Sequence, residues 1–234
     1  MMRATQKLHE IGQSLWLDNI TRQLLTSGTL HRYIQEFSVT GLTSNPTIFD
    51  HAIKNSHDYD DAIRQKLKED KSGEALFFEL ALEDLAQAAD LFRPIYDQTD
   101  GVDGWVSLEV SPLLAHDTKN TLEAAKELHD RGKRPNMYIK IPGTKEGLPA
   151  IEEAIFTVNT MPEGTLNALA EHGKVDHILP PHGGDCEEVL TRFAKAGIDI
   201  NALAAQLQDE GARSFVKSWK ELKGCIASKS KALK

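Results

Sequence analysis

Residues 137–143 read Met-Tyr-Ile-Lys-Ile-Pro-Gly. The run is short, rich in aromatic and aliphatic side chains, and closed by a Pro-Gly pair that starts a turn, so it predicts a strand over 137–141. A parallel strand covered by helices is apolar along nearly its whole length, which singles out Lys140. On its own, an edge-strand lysine reaching solvent accounts for it. The other reading is a lysine facing a barrel interior, where desolvation favours the neutral amine that attacks a carbonyl.

Working outward, three more stretches have the same character: 14–18 (SLWLD), 37–43 (FSVTGLT) and 105–110 (WVSLEV). Turn or helix-start chemistry follows at Ser44-Asn45-Pro46 and Ser111-Pro112, as at Pro142-Gly143. Between and after the strands, helical spacing of apolar residues predicts helices over 57–70, 74–92, 116–131 and 144–155, the third with Asp117 or Thr118 as its cap. Strands separated by helices mean βα units and a parallel sheet, an α/β fold. Beyond Phe156 the pattern changes. Segments 163–172, 184–196 and 200–229 read as helices, and no further strand is evident. The expected organisation is therefore 1–156 as the first half of an α/β barrel, with four strands, and 157–234 as a C-terminal helical region.

All four strands deliver a polar group at or near their C-terminal ends: Asp18, Thr43 with Asn45, Glu109 and Lys140. Each has a bland explanation. Asp18 suits a helix cap, Thr43 and Asn45 suit a turn before Pro46, and Glu109 needs only a partner. Together they carry more weight, because in a closed barrel those ends converge on one mouth, where such enzymes do their chemistry. A lysine nucleophile with two carboxylates and small hydrogen-bonding groups is a set for carbonyl chemistry through an imine.

The 234 residues are 40% hydrophobic and 26% charged with a net charge of −8, which is ordinary for a globular chain. That balance argues against sequence-independent nucleic-acid binding. No apolar run approaches the ~20 residues of a membrane span, and the opening MMRATQKLHEIGQSLW shows no secretory signal. Cys186 and Cys225 lack metal or redox spacing and read as free thiols, so a cytoplasmic location is expected. His177, His182, Asp185 and Cys186 make a weak metal constellation, and Asp185 is better read as a helix cap. No metal and no cofactor are expected. Phe215 and Trp219 read as packing residues on the last helix.

The segments LHEIGQSLWLDNI, VTGLTSNPTIF, GWVSLEVSP and YIKIPGTKEGLPAIEEAIF resemble motifs of bacterial transaldolases of the longer-chain, cyanobacterial and actinobacterial kind. NTMPEGTLNALAEHG, LPPHGGDCEEVL and DEGARSFVKSW extend the resemblance over essentially the whole chain. It implies a TIM-barrel-type enzyme of the pentose phosphate pathway. By matched position it implies Lys140 as the Schiff-base lysine and Asp18 as the acid/base of carbon–carbon cleavage. Glu109 would work through a water during imine formation and hydrolysis, and Thr43 and Asn45 would position that water and the dihydroxyacetone unit. The implied reaction moves dihydroxyacetone from a phosphosugar such as sedoheptulose 7-phosphate to glyceraldehyde 3-phosphate.

The resemblance also implies a loss. In the family, IEEAIF leads into a fifth strand, then a sixth bearing a phosphate-gripping Arg, then two more. Here it runs straight into TVNTMPEG, which matches the region beyond the last strand, so a deletion near residues 156/157 is expected to remove strands five to eight. Half of the barrel interior then lacks partners, and pairing with a second copy, a homo-oligomer, would cover it. Three outcomes stay open on this reading: an active transaldolase, an aldolase that cleaves without efficient transfer, and a catalytically dead remnant that acts as a binding partner.

Overall fold

The computed structural model describes residues 2–147, 160–175 and 183–234. In chain order it comprises α1 (Ala4–Glu10), β1 (Trp16–Asp18), α2 (Arg22–Thr26), α3 (Thr29–Phe37), β2 (Gly41–Thr43), α4 (Pro46–Asn55), α5 (Asp60–Lys68) and α6 (Gly73–Gln98). There follow β3 (Trp105–Glu109), a 3-10 turn (Pro112–Leu114), α7 (Thr118–Gly132), β4 (Met137–Lys140), β5 (Thr160–Pro162), α8 (Glu163–His172), α9 (Cys186–Lys195) and α10 (Ile200–Ala232). The described part of the predicted helix 144–155 is a turn at 144–147, and the remainder lies outside the described residues.

The fold is α/β, built on one parallel sheet in the order β4-β3-β2-β1-β5. Among the described residues the sheet is open, with β4 and β5 at its edges. The sequence reading of four strands therefore falls one short. Thr160-Met161-Pro162 pairs parallel to β1 through Trp16↔Thr160, Leu17↔Met161 and Asp18↔Pro162. Three residues ending in proline carry too little alternation to read as a strand, and proline is tolerated there because the strand is an edge. β5 takes the place beside β1 that the closing strand of a barrel would occupy. A second correction concerns residues 37–43. Leu30, Tyr33 and Phe37 are buried at helical spacing, so α3 continues to Phe37 and ends at Ser38 in the left-handed region (φ 55°). Only Gly41–Thr43 is strand.

Register decides which residues face which way. Leu17, Leu42, Val106 and Met137 form one row across β1 to β4 and pack into the core with Leu80, Leu85 and Phe92 of α6. The opposite face carries Asp18, Thr43, Ser107 and Tyr138 in one row, with Glu109 paired to Lys140 two residues further along β3 and β4. Below that polar row the same face is aromatic. The Trp105 and Tyr138 rings stack with centroids 3.8 Å apart, and Trp16 lies 6.2 Å from Tyr138. Gly41 sits between Trp16 and Trp105 in the register. A Cβ there would stand 2.5 Å from the Trp16 ring and 2.7 Å from the Trp105 carbonyl, so only glycine fits. The aromatic layer floors the polar face.

The 33-residue α10, about 50 Å long at 1.5 Å per residue, ties the molecule together. Trp219, Leu222 and Ile226 are buried, and the Trp219 ring lies 5.1 Å from Phe77 and 5.7 Å from Phe78. Lys229 donates to the carbonyls of Ile53 (2.6 Å) and Ser56 at the C-terminal end of α4 and pairs with Asp60 at 2.9 Å, a favourable place for a cation. Among the described residues no helix is long and apolar enough to cross a membrane.

Candidate active site

The polar row is assembled by short local rules. β1 ends at Asp18, and the helix cap expected of it is supplied instead by Thr21, whose hydroxyl accepts from the Leu24 amide at 3.1 Å. Asp18 is thus free of a capping role and accepts from Asn45 Nδ2 at 3.2 Å. Asn45, read from the sequence as a turn residue before Pro46, makes two side-chain bonds: its Oδ1 caps α4 by accepting from the Ile48 amide at 3.0 Å, and its Nδ2 donates to Asp18. Pro46 follows at the first helical position, where its missing N–H costs nothing.

Thr43 is buried and lies at the centre of the row. Its hydroxyl oxygen accepts from Ser107 Oγ at 2.8 Å and from Lys140 Nζ at 3.3 Å. Lys140 Nζ also forms an ion pair with Glu109 Oε1. The structure therefore brings Lys140, Glu109 and Thr43 into one cluster, with Asp18 and Asn45 next to it on the same face. Ser107 was not among the residues singled out from the sequence. Its signal was period two: it lies two residues before Glu109 and so shares that residue's face.

Glu109 is 7% exposed, and burial pushes its carboxyl above the ordinary range. The Lys140 ammonium opposes that shift and the Asp18 charge adds to it. Of the two readings of Lys140, the edge-strand one describes its position. Lys140 has a side chain 44% exposed at the edge strand β4, because no further described strand covers it. It nevertheless pairs with a buried carboxylate, which a purely solvent-seeking lysine would not.

The C-terminal ends of β3 and β4 open into a cavity of about 860 Å³, within the range of small-molecule sites. Glu109 and Lys140 form part of its wall, and the N-terminal half of α10 covers it, bringing Leu207, Arg213, Phe215 and Val216. Phe215, expected to pack, is 42% exposed against this cavity, whereas Trp219 is 1% exposed and packs as read. The segment after β3 is tied to the one after β4. Thr118 Oγ1 donates to the Glu146 carbonyl at 2.5 Å, Thr144 Oγ1 donates to the Ala115 carbonyl, and His116 Nδ1 lies 3.0 Å from Glu146 Oε2. The His116 bond holds the Glu146 carboxyl below the usual carboxylate range.

His177 and His182 lie outside the described residues. Asp185 stands at the start of α9 without a capping side-chain bond. Among the described residues no group of three or more His, Cys, Asp or Glu side chains converges as a metal site requires.

A sequence model of the transaldolase/fructose-6-phosphate aldolase family matches residues 15–157 and 154–226. The chain belongs to this family. The match comes in two pieces that meet at 154–157, where the sequence reading places a missing segment. Among curated relatives, the transaldolase of Thermobifida fusca is 47% identical over 150 residues, covering 64% of this chain and 41% of the relative. The transaldolase of Saccharopolyspora erythraea is 45% identical over 150 residues (64% and 40%), and that of Thiobacillus denitrificans 42% over 151 residues (64% and 42%). The chain thus spans about two fifths of the length of the transaldolases it matches.

Proposed function

We propose that this chain performs transaldolase chemistry, forming a Schiff base between Lys140 and a ketose and retaining a dihydroxyacetone unit for transfer to an aldehyde. The observation that carries the reading is the Lys140 ammonium set against the buried Glu109 carboxylate and the Thr43 hydroxyl, on the sheet face that also bears Asp18. A proton passed from Lys140 to Glu109 frees the amine, and the amine adds to the ketose carbonyl. Glu109, whose burial favours the protonated form, then returns a proton to the carbinolamine oxygen, which leaves as water. In the resulting iminium, Asp18 takes the proton of the hydroxyl on the carbon beyond the bond to be cleaved. That bond breaks, an aldehyde leaves, and the electron pair stays on Lys140 as an enamine. Attack of the enamine on an acceptor aldehyde and hydrolysis by water complete the transfer. Phosphosugars are the substrates that the family resemblance implies.

Borohydride reduction of the purified chain with fructose 6-phosphate, read by intact-mass and peptide mass spectrometry, is expected to leave a dihydroxyacetone adduct on Lys140 and none in Lys140→Ala. No adduct in a demonstrably folded sample would defeat the enzymatic reading and leave a non-catalytic, partner-binding protein.

A second copy is proposed to complete the molecule. The edges β4 and β5 are unpaired among the described residues, and α9 and the start of α10 expose Leu190, Phe193, Leu203 and Leu207. A two-fold axis along the sheet's strand direction keeps all strands parallel, so one copy's β5 edge can meet the other's β4 edge. Light scattering is expected to give at least a dimer; a monodisperse monomer that binds no hydrophobic dye would sink this.

A further inference from the structure

We infer that Ser107 is a positioning residue for Lys140, acting through the Thr43 hydroxyl to hold the neutral amine in place while it attacks. This rests on the Lys140 imine proposed above and names what steadies that lysine.

Ser107 and Thr43 are register partners on β3 and β2, and beside them the Ser44 amide donates to the Ser107 carbonyl at 3.2 Å. Both side chains are buried, so water competes little for their hydroxyls. The Ser107 hydroxyl donates to Thr43 Oγ1 at 2.8 Å, and Thr43 donates towards the Ser44 carbonyl at 3.4 Å. The remaining lone pair of Thr43 meets Lys140 Nζ at 3.3 Å. Every direction around the Thr43 oxygen is thus assigned, and the one facing the lysine accepts.

Lys140 benefits from such a holder. Its side chain is 44% exposed, on a flexible four-carbon stem. The ion pair with Glu109 anchors the ammonium, but that attraction ends once the proton has passed to Glu109. The bond from the Lys140 N–H to Thr43 requires no charge and survives the transfer. Thr43 then keeps one N–H in place, and the lone pair of the amine is left for the carbonyl carbon. Without the Ser107 donor the Thr43 hydroxyl turns freely. It can then donate to the amine's lone pair and occupy the electrons that attack. A serine opposite a threonine on neighbouring strands can also serve the sheet alone, and kinetics separates the two roles.

The test follows how fast dihydroxyacetone, which forms the imine without carbon–carbon cleavage, is trapped on Lys140 by borohydride at timed intervals, with a urea titration of each variant. In Ser107→Ala the rate at saturation is expected to fall about tenfold, the equivalent of one positioning hydrogen bond, with little change in the half-saturating concentration. Thr43→Val is expected to show the same fall, and Ser107→Ala added to it no further fall, because the serine acts through the threonine. Ser107→Cys, a weaker donor, is expected to fall between and carries the comparison if the alanine variant does not fold. An unchanged rate in Ser107→Ala with a lowered urea midpoint would make the pair purely structural and overturn the inference. A further fall in the double variant likewise overturns it, and in both cases the Lys140 imine stands. If dihydroxyacetone leaves no adduct on Lys140 of the folded, unsubstituted chain, the inference and the imine reading fail together.

Discussion

In Asp18→Asn, reduction with borohydride is expected to trap the whole ketose on Lys140, whereas the unsubstituted chain yields the three-carbon dihydroxyacetone adduct. The reason is a division of labour between two carboxylates on one sheet face. Glu109 touches Lys140 and is buried, so in the proposed mechanism it is the carboxylate placed for the steps at nitrogen. Asp18 is one row away, half-buried and held by Asn45, and the proposed mechanism gives it the hydroxyl whose deprotonation breaks the carbon–carbon bond. Removing a positioned general base costs about 10²–10⁴-fold. Imine formation needs only Lys140 and Glu109 and should be slowed far less. The amide oxygen can still accept from Asn45 Nδ2, so the fold and the start of α4 are retained. The measurement is the mass of the adduct and its rate of appearance. A dihydroxyacetone adduct formed at the unsubstituted rate would remove Asp18 from the cleavage step.

The largest expected loss of stability lies away from the site, at Asp84→Ala, at about 3 kcal/mol. Asp84 is fully buried on α6 and accepts from Arg22 Nε at 2.8 Å and from the Tyr59 hydroxyl at 2.8 Å. Arg22 also reaches Glu83 at 2.7 Å, so the network fastens α2 and the start of α5 to α6. Truncation leaves the buried Tyr59 hydroxyl without its acceptor and deprives the Arg22 guanidinium of its one fully buried partner. A urea titration should show the midpoint fall with the slope unchanged. An unmoved midpoint would mean that the network is dispensable.

The same residue gives a signed pH effect. Burial pushes the Asp84 carboxyl up to about 6 even beside Arg22, against about 3.9 in an unfolded chain. The folded state therefore binds this proton more tightly, and stability falls as pH rises from about 4 to about 6 before levelling. Asp84→Asn should flatten that part of the stability profile.

Much of the site was legible without coordinates because it follows local rules. A strand's side chains alternate with period two, and a polar residue at the end of an apolar run is conspicuous wherever the chain goes. Asp18, Thr43, Glu109 and Lys140 could be singled out that way, and the motifs around them placed the chain in its family. The turn reading of Asn45 before Pro46 is equally local, whereas the caps suggested at Asp18 and Asp185 are not made.

What the sequence could not determine depends on which distant segment lies alongside. Thr160-Met161-Pro162 is a strand only because β1 offers it hydrogen bonds from more than 140 positions away. Whether Lys140 is enclosed or 44% exposed depends on what stands beyond β4. Phe215 and Trp219 share one helix and similar local surroundings. Only the packing of α10 sends Trp219 among Phe77 and Phe78 and leaves Phe215 against the cavity. Alternation and capping are set within a few residues, so the sequence alone determined the strands' polar ends. Burial and pairing are properties of the surroundings, and those the tertiary structure decided.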